Sequence, residues 1–343
     1  MKAARMYGIR DIRIDDIPQP EIGADDALIA IKATGICGSD VHYYTHGKIG
    51  RYVVEAPFVL GHECAGIVEE VGENVTNVKP GDRVAVEPGV PCRTCTFCKQ
   101  GKYHLCRDVV FLATPPYGGS FQEFMPHAAD FLFPLADEVS LPEAAMVEPL
   151  STGMQTVRRS GLKLGDRVFI AGMGPIGLAT LQAFLAGGAG AVYVSDVDDE
   201  RLKLAKEFGA AKAFDAGDEN LSEELRDLTE GFGPEITVET AGSVEATKLV
   251  ADAVRPGGVA VLVGLAPEAT VPFNVLDIID KEIDVRGVFR YSNTYPAALS
   301  LIARGAVDVK RMITAEYALE DASRAMADVA DRKPGIIKAV VTN

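Results

Sequence analysis

Cys92, Cys95, Cys98 and Cys106 follow the spacing C-x2-C-x2-C-x7-C. Four thiolates on one short loop can wrap a tetrahedral zinc and leave no open coordination position, the pattern of a structural metal site. His104 lies within the same loop, but four sulfurs already complete the shell. A second set of metal-compatible side chains is dispersed. Cys37 stands between Gly35-Ile36 and Gly38-Ser39-Asp40, His62-Glu63 follows Gly61, and Glu148 directly precedes Pro149. A thiolate, an imidazole and carboxylates are all good zinc ligands, and three protein ligands with an open position make a catalytic site. The spacing leaves two alternatives open. These residues either converge, or serve apart as a buried thiol, a core imidazole and a helix-capping carboxylate.

A third constellation is Gly172-Met173-Gly174-Pro175-Ile176-Gly177, which matches G-x-G-x-x-G. It follows the strand-like run Arg167 to Ala171, opens an apolar helical pattern from Pro175 to about Gly187, and precedes an acid, Asp196, at the end of the next strand-like run. That context is what a dinucleotide fingerprint requires. Gly172 then makes the tight turn, Gly174 admits a pyrophosphate against the backbone, and Gly177 lets helix and strand pack closely. The helix N-terminus receives the phosphate charge. Asp196 can accept hydrogen bonds from the adenine ribose, and with Asp198 and Asp199 it repels a 2′-phosphate, so NAD is expected over NADP. Arg201 either lies over the adenine or is a solvated helix residue.

The elements that must position these groups change character along the chain. Up to about residue 145, short strand candidates separated by turn residues (Ala27–Ala33, Asp82–Val86, Ser120–Met125, Phe131–Leu135) predict a β-rich barrel or sandwich. From Pro149, expected at the start of a helix that ends at Gly161, strands and helices alternate. Six strand candidates with crossovers (Arg167–Ala171, Ala191–Ser195, Lys212–Phe214, Glu235–Glu239, Val259–Val263, Asp284–Val288) predict a doubly wound parallel sheet. The last ~55 residues hold two helix candidates and a strand at Ile336–Val341, too little for a separate core, and are expected to rejoin the first domain.

Length and composition are consistent with two globular domains: 343 residues, 48% hydrophobic, 24% charged. A net charge of −15 opposes binding to nucleic acid. No run of ~18 apolar residues is present to span a membrane. Met1 to Met6 contain no signal-peptide core, so the cytoplasm is expected, and there six cysteines point to metal or catalysis rather than disulfides. Cys64 reads as a small buried side chain, and His46 and His127 carry no motif.

The stretch Gly61-His62-Glu63-x2-Gly66-x5-Gly72-x2-Val75 resembles the signature of the zinc-dependent medium-chain dehydrogenase family. The cysteine loop resembles that family's structural-zinc lobe, and the likeness spans the chain. Cys37-Gly38-Ser39-Asp40-Val41-His42-Tyr43, Ala113-Thr114-Pro115-Pro116, Glu148-Pro149-Leu150, and Gly287 to Tyr291 with Asn293-Thr294 resemble the polyol (sorbitol/xylitol) type. The resemblance implies an α/β chain with a GroES-like β-rich catalytic domain (1–148 and 289–343) and a Rossmann NAD-binding domain (149–288). It implies two zinc ions per chain. Cys37, His62 and Glu63 would bind the catalytic one, Glu148 would stand beside it as a ligand or through a water, and Ser39 and His42 would relay the proton. Tyr43, Glu148, Arg290 and Tyr291 match polyol-contacting positions. Gly172, Gly174, Pro175, Ile176, Gly177, Asp196, Arg201, Val263, Gly264, Leu265, Val288, Phe289 and Arg290 match cofactor contacts. The implied activity is oxidation of xylitol, sorbitol or L-iditol at C2 to the 2-ketose, by a homotetramer or homodimer. Competing readings are a related zinc dehydrogenase of threonine, butanediol or another secondary alcohol, and a non-catalytic structural protein that binds zinc and NAD.

Overall fold

The computed structural model describes residues 1–266 and 270–343. Its chain separates into two compact units: Met1–Glu148 with Tyr295–Gly305 and Val309–Asn343, and Pro149–Thr294 with Ala306–Asp308.

The first unit is organised on strand β1 (Asp26–Gly35), an almost unbroken buried run. Ala27, Ile29 and Ile31 share one face, as the two-residue period of a strand requires, and pack with Val68, Val84, Val86 and Leu132. At the end of β1, Cys37 caps helix α1 (Gly38–His46), and its N–H donates to Asp40 Oδ2 at 3.0 Å. Gly47 stops the helix in the left-handed region, with φ 71°. Strand β2 (Glu63–Val71) runs antiparallel to β1 and sets Glu63 opposite Gly35. The strands Phe124–Ala128 and Lys338–Thr342 share the other flank of β1. Arg83–Val86, Leu132–Pro134 and Ile313–Ala318 complete a seven-stranded sheet.

The second unit contains β3 (Arg167–Ala171), helix α2 (Pro175–Ala186), β4 (Ala191–Asp196), β5 (Lys212–Asp215), β6 (Ile236–Glu239), β7 (Val259–Leu262) and β8 (Asp284–Gly287). The strand order is β5-β4-β3-β6-β7-β8, and every pair is parallel. This is a doubly wound sheet whose direction of winding reverses between β3 and β6. In such sheets a ligand crevice lies outside the carboxyl ends of the strands at the reversal.

Residues 289–294 go with the second unit, beyond the boundary expected at 288/289. The Val288 N–H donates to Leu262 O at 2.9 Å, and Arg158 donates to Ser292 O at 2.9 Å, which ties the segment to this sheet and its flanking helix. That helix runs from Val147 to Ser160, so Pro149 is its third residue and not its first. From Tyr295 the chain rejoins the first unit, where the Tyr295 hydroxyl donates to Val86 O at 3.0 Å. The final strand, β9 (Lys338–Thr342), pairs with β1 and with Ile313–Ala318, a strand not expected from the sequence. Among the described residues, no helix is long and apolar enough to cross a membrane.

A Cβ at Gly177 would meet the Gly172 carbonyl carbon at 2.8 Å and Thr240 Oγ1 at 3.0 Å, whereas one at Gly174 would meet nothing within 4 Å. Gly177→Ala should therefore destabilise the second unit by ~1–3 kcal/mol through overpacking. Gly174→Ala should stay within about 0.5 kcal/mol. Thermal denaturation of both variants checks this; equal losses would refute the packing role of Gly177.

Candidate metal and cofactor sites

The four loop cysteines place their sulfurs together, all within 4.8 Å of one another. Cys95 Sγ lies 3.4 Å and Cys92 Sγ 3.9 Å from Cys98 Sγ. At a Zn–S distance of ~2.3 Å a tetrahedron has edges of about 3.8 Å, so the loop is shaped for the ion. The Cys95 N–H donates to Cys92 Sγ, and the Cys92 N–H donates to Cys106 Sγ, both at 3.4 Å. Without a cation the four thiols cannot all ionise. Hydrogen bonds from Thr94 and Cys95 pull Cys92 down to about 6, while burial and the neighbouring sulfurs push Cys98 up to about 12. The lobe is tied to the sheet by Tyr103, whose hydroxyl donates to Glu87 Oε1 at 2.7 Å. Glu87 is itself raised to about 7, chiefly by burial.

The dispersed residues converge. One ligand atom each from Cys37, His62 and Glu63 lies within 4.8 Å of the others. Cys37 is delivered by the start of α1, and His62 and Glu63 by the start of β2, alongside the end of β1. His62 Nδ1 faces Asp40 Oδ1 at 3.6 Å. A carboxylate behind a ring nitrogen orients a ligating histidine and raises its basicity. Asp40 is fully buried and fixed by N–H donors from Cys37 and Gly61, each at 3.0 Å. Burial opposes an imidazolium at His62, yet Asp40 and Cys37 outweigh it and raise the pKa well above the ordinary value. The same negative field attracts a metal cation.

Glu63 is 1% exposed, and its Oε1 has no hydrogen-bond partner. An orphaned buried carboxylate oxygen beside a thiol and an imidazole fits a metal ligand. Its other oxygen forms an ion pair with Lys338, which is 2% exposed and also donates to Ile36 O at 2.8 Å. Burial works against the ammonium, but Glu63, Cys37 and Glu148 outweigh it and raise its pKa. Asp40 and Lys338 are not among the site residues expected from the sequence. Asp40 stands inside the quoted Cys37-to-Tyr43 stretch, and Lys338 is a lone charge in the apolar run Ile336 to Val341. Glu148 is 7% exposed and close enough for its charge to act on Lys338, Cys64 and Glu87, but it lies outside the tight three-residue group.

In the second unit, the glycine turn joins β3 to α2 at the winding reversal. Gly172 has φ 100°, and its Cβ position is occupied by Ala241. Thr240, just past β6, donates its hydroxyl to Gly172 O at 2.7 Å. The carboxylate of Asp196 accepts the Met173 N–H at 2.5 Å and the Asp198 N–H at 3.0 Å. Asp196 therefore orders the turn as well as standing at the end of β4. Arg201 lies 3.8 Å from Asp196 and 3.7 Å from Asp198, so its charge is held by these acids. Val263 and Gly264 both donate N–H to Glu239 O, and the Glu239 side chain accepts the Gly242 N–H at 2.6 Å. Glu239 is thus a buried organiser of this edge that sequence reasoning missed.

Residues 23–137 match the family model for the alcohol dehydrogenase GroES-like domain, and 175–304 match that for zinc-binding dehydrogenase. Over 341 residues the chain is 45% identical to sorbitol dehydrogenase of Bacillus subtilis (strain 168), covering 99% of this chain and 97% of that protein. The chain belongs to the zinc-dependent medium-chain dehydrogenases. Solved structures share its fold. An oxidoreductase/dehydrogenase of unknown specificity involved in membrane biogenesis from Escherichia coli has TM-score 0.95 at 37% identity, covering 99% of this chain and 98% of that one. 2R,3R-butanediol dehydrogenase from Bacillus subtilis has TM-score 0.91 at 34% identity, covering 100% and 99%.

The remaining expected site residues of the dehydrogenase are distributed as follows. Ser39 and His42 stand three apart on α1 and so share one helix face. His42 is at the surface, where partial packing and His46, with ring centroids 5.8 Å apart, hold its pKa below the ordinary value. Tyr43 is buried in a cluster with Met6, Phe58 and Leu60. In the second unit, Tyr291 is buried and the Arg290 guanidinium lies over the Phe289 ring at 4.6 Å. Cys64 is buried, which pushes its thiol up to about 12 and makes it inert.

Elemental analysis should find two zinc ions per chain, one for each clustered ligand set. Cys37→Ser should keep one zinc and a folded protein with almost no turnover. Cys95→Ser should instead lose the lobe's zinc and melt earlier. A single zinc in the unmutated protein would remove one of the two sites.

Proposed function

We propose that this dehydrogenase oxidises a five- or six-carbon polyol such as xylitol, sorbitol or L-iditol at C2, forming the 2-ketose and transferring the hydride to NAD. The reading is carried by the convergence of Cys37 with the buried His62 and Glu63, in a chain that matches a sorbitol dehydrogenase over 99% of its length. The first unit is assigned the catalytic zinc role and the second unit the cofactor role.

When bound, zinc supplies a Lewis acid that acidifies one substrate hydroxyl, and NAD supplies the hydride acceptor. Cys37, His62 and Glu63 would hold the metal, with Glu148 beside it as a further ligand or through a water. The reacting carbon gives up a hydride and its hydroxyl a proton. Ser39 would accept that proton on its hydroxyl oxygen as it releases its own toward His42, which shares its face of α1 and delivers a proton to solvent. Gly174, Pro175, Ile176, Val263, Gly264, Leu265, Val288 and Phe289 form the dinucleotide contacts with the turn glycines Gly172 and Gly177. Arg290 and Tyr291 are assigned to recognise hydroxyls beyond the reacting carbon.

Asp196 sets the cofactor. A carboxylate facing a 2′-phosphate across ~5 Å costs on the order of 2–4 kcal/mol, and Arg201 is already engaged by two acids. The reducing cytoplasm suits a chain whose six cysteines are free. A homodimer or homotetramer is assigned to the outer edge of β8. Val285 on that strand and Val275, Leu276 and Ile279 just before it are exposed apolar side chains. The butanediol dehydrogenase neighbour supports a second reading, a simpler secondary alcohol.

Initial rates separate the two. Xylitol or sorbitol should exceed 2-butanol in kcat/KM by at least ~100-fold, because an unpaired buried donor costs ~1–3 kcal/mol and two or more would be left. NAD should exceed NADP by roughly 30- to 700-fold. Arg290→Ala should lose most of the polyol preference while retaining its zinc. Preference for 2-butanol, butanediol or threonine would overturn the polyol assignment.

A further inference from the structure

Lys338 reaches the metal cluster from the far end of the chain. It stands at the first position of β9, two residues before Val340, which pairs with Gly35 of β1; Gly35 in turn pairs with Glu63 of β2. The ion pair between Lys338 and Glu63 therefore spans β1 above Gly35. Gly35 leaves the space for it, since a Cβ there would collide with Glu63 and lie 3.0 Å from Lys338 Cε. The ammonium also donates to Ile36 O at 2.8 Å, next to the ligand Cys37. One buried cation thus contacts both segments that deliver ligands. It forms an ion pair with Glu63 Oε2, and neither buried oxygen of Glu63 has a hydrogen-bond partner of its own.

We propose that Lys338 is a positioning residue for the catalytic zinc: it holds Glu63 Oε2, so that the carboxylate offers the metal Oε1 alone, and its charge offsets part of the donors' negative charge. The proposal rests on reading Cys37, His62 and Glu63 as the zinc site. Two negative donors, Cys37 and Glu63, nearly neutralise a divalent ion. With Lys338 in place, Glu63 is shared between two cations, and the metal stays less tightly held and more electrophilic. Removing the ammonium frees the carboxylate to bind through both oxygens. That loss should tighten metal binding and slow the reaction together. A lysine that only fills space in the sheet would do the reverse, because its loss loosens the segments that carry the ligands.

The test is zinc release from the holoenzyme to a chromophoric chelator, with Cys37→Ser used to identify the phase that belongs to the catalytic ion. Lys338→Met should retain that zinc at least ~10-fold more tightly, since a nearby repelling charge has been removed. Its kcat should fall by at least ~10-fold with the zinc content unchanged, and the difference in Tm between zinc-loaded and metal-free protein should widen. Lys338→Arg should restore zinc retention to within ~3-fold of the unmutated protein by keeping the charge. If Lys338→Met does not fold, Lys338→Gln carries the same expectation, because it keeps a donor for Glu63 without the charge. Weaker or unchanged zinc retention in the neutral variants, or equal losses of Tm with and without zinc, would overturn the proposal. If the unmutated protein showed no release phase assignable to Cys37, the zinc-site reading itself would fail.

Discussion

A buried carboxylate without a counter-charge costs several kcal/mol, and Glu63 is 1% exposed. Two cations can offset that cost, a metal on one oxygen and Lys338 on the other. Much of the first unit serves this arrangement. β1 brings Cys37 to its end, β2 starts with Glu63, and β9 supplies the ammonium from 302 residues beyond Ile36. The return of the chain after Thr294 thus completes both the sheet and the charge balance of the site. Gly35 is the geometric condition, since any side chain there would occupy the space where the two charges meet.

The two metal sites divide the labour that their donor sets allow. Four sulfurs saturate a tetrahedral ion, so the Cys92–Cys106 loop can hold shape and nothing more. One thiolate, one imidazole and one carboxylate leave a coordination position free for substrate. The cofactor unit solves a different problem, a backbone that must approach a pyrophosphate. Asp196 accepts the Met173 N–H and so locks the turn whose N–H groups would face the phosphates. One carboxylate at the end of β4 therefore shapes the turn that precedes α2.

The second unit was largely legible from the sequence, because buried parallel strands read as apolar runs with glycine turns between them. β3 falls at Arg167–Ala171, as the sequence predicts, and the other five strands agree to within a residue or two at each end. The cysteine lobe was equally legible, since four close-spaced thiols have few other uses. β2 was not, because Glu63-Cys64-Ala65-Gly66-Ile67 shows no alternation and contains a glycine and a buried acid. Convergence of Cys37, His62 and Glu63 could not be read from spacing, since strand pairing rather than local geometry brings them together. Asp40 and Lys338 escaped for the same reason. Their partners are set by the fold, and only the oddity of a lysine within Ile336 to Val341 marked one of them.

Zinc K-edge X-ray absorption on the unmutated protein tests most directly whether the Cys37–His62–Glu63 cluster is a metal site distinct from the cysteine lobe. One four-sulfur site and one single-sulfur site average to ~2.5 sulfurs per zinc at ~2.3 Å, with nitrogen and oxygen ligands at ~2.0–2.2 Å. That mixed shell is the expected result. A shell of ~4 sulfurs with no nitrogen or oxygen would place all the zinc in the lobe and contradict the assignment of a catalytic ion to Cys37, His62 and Glu63.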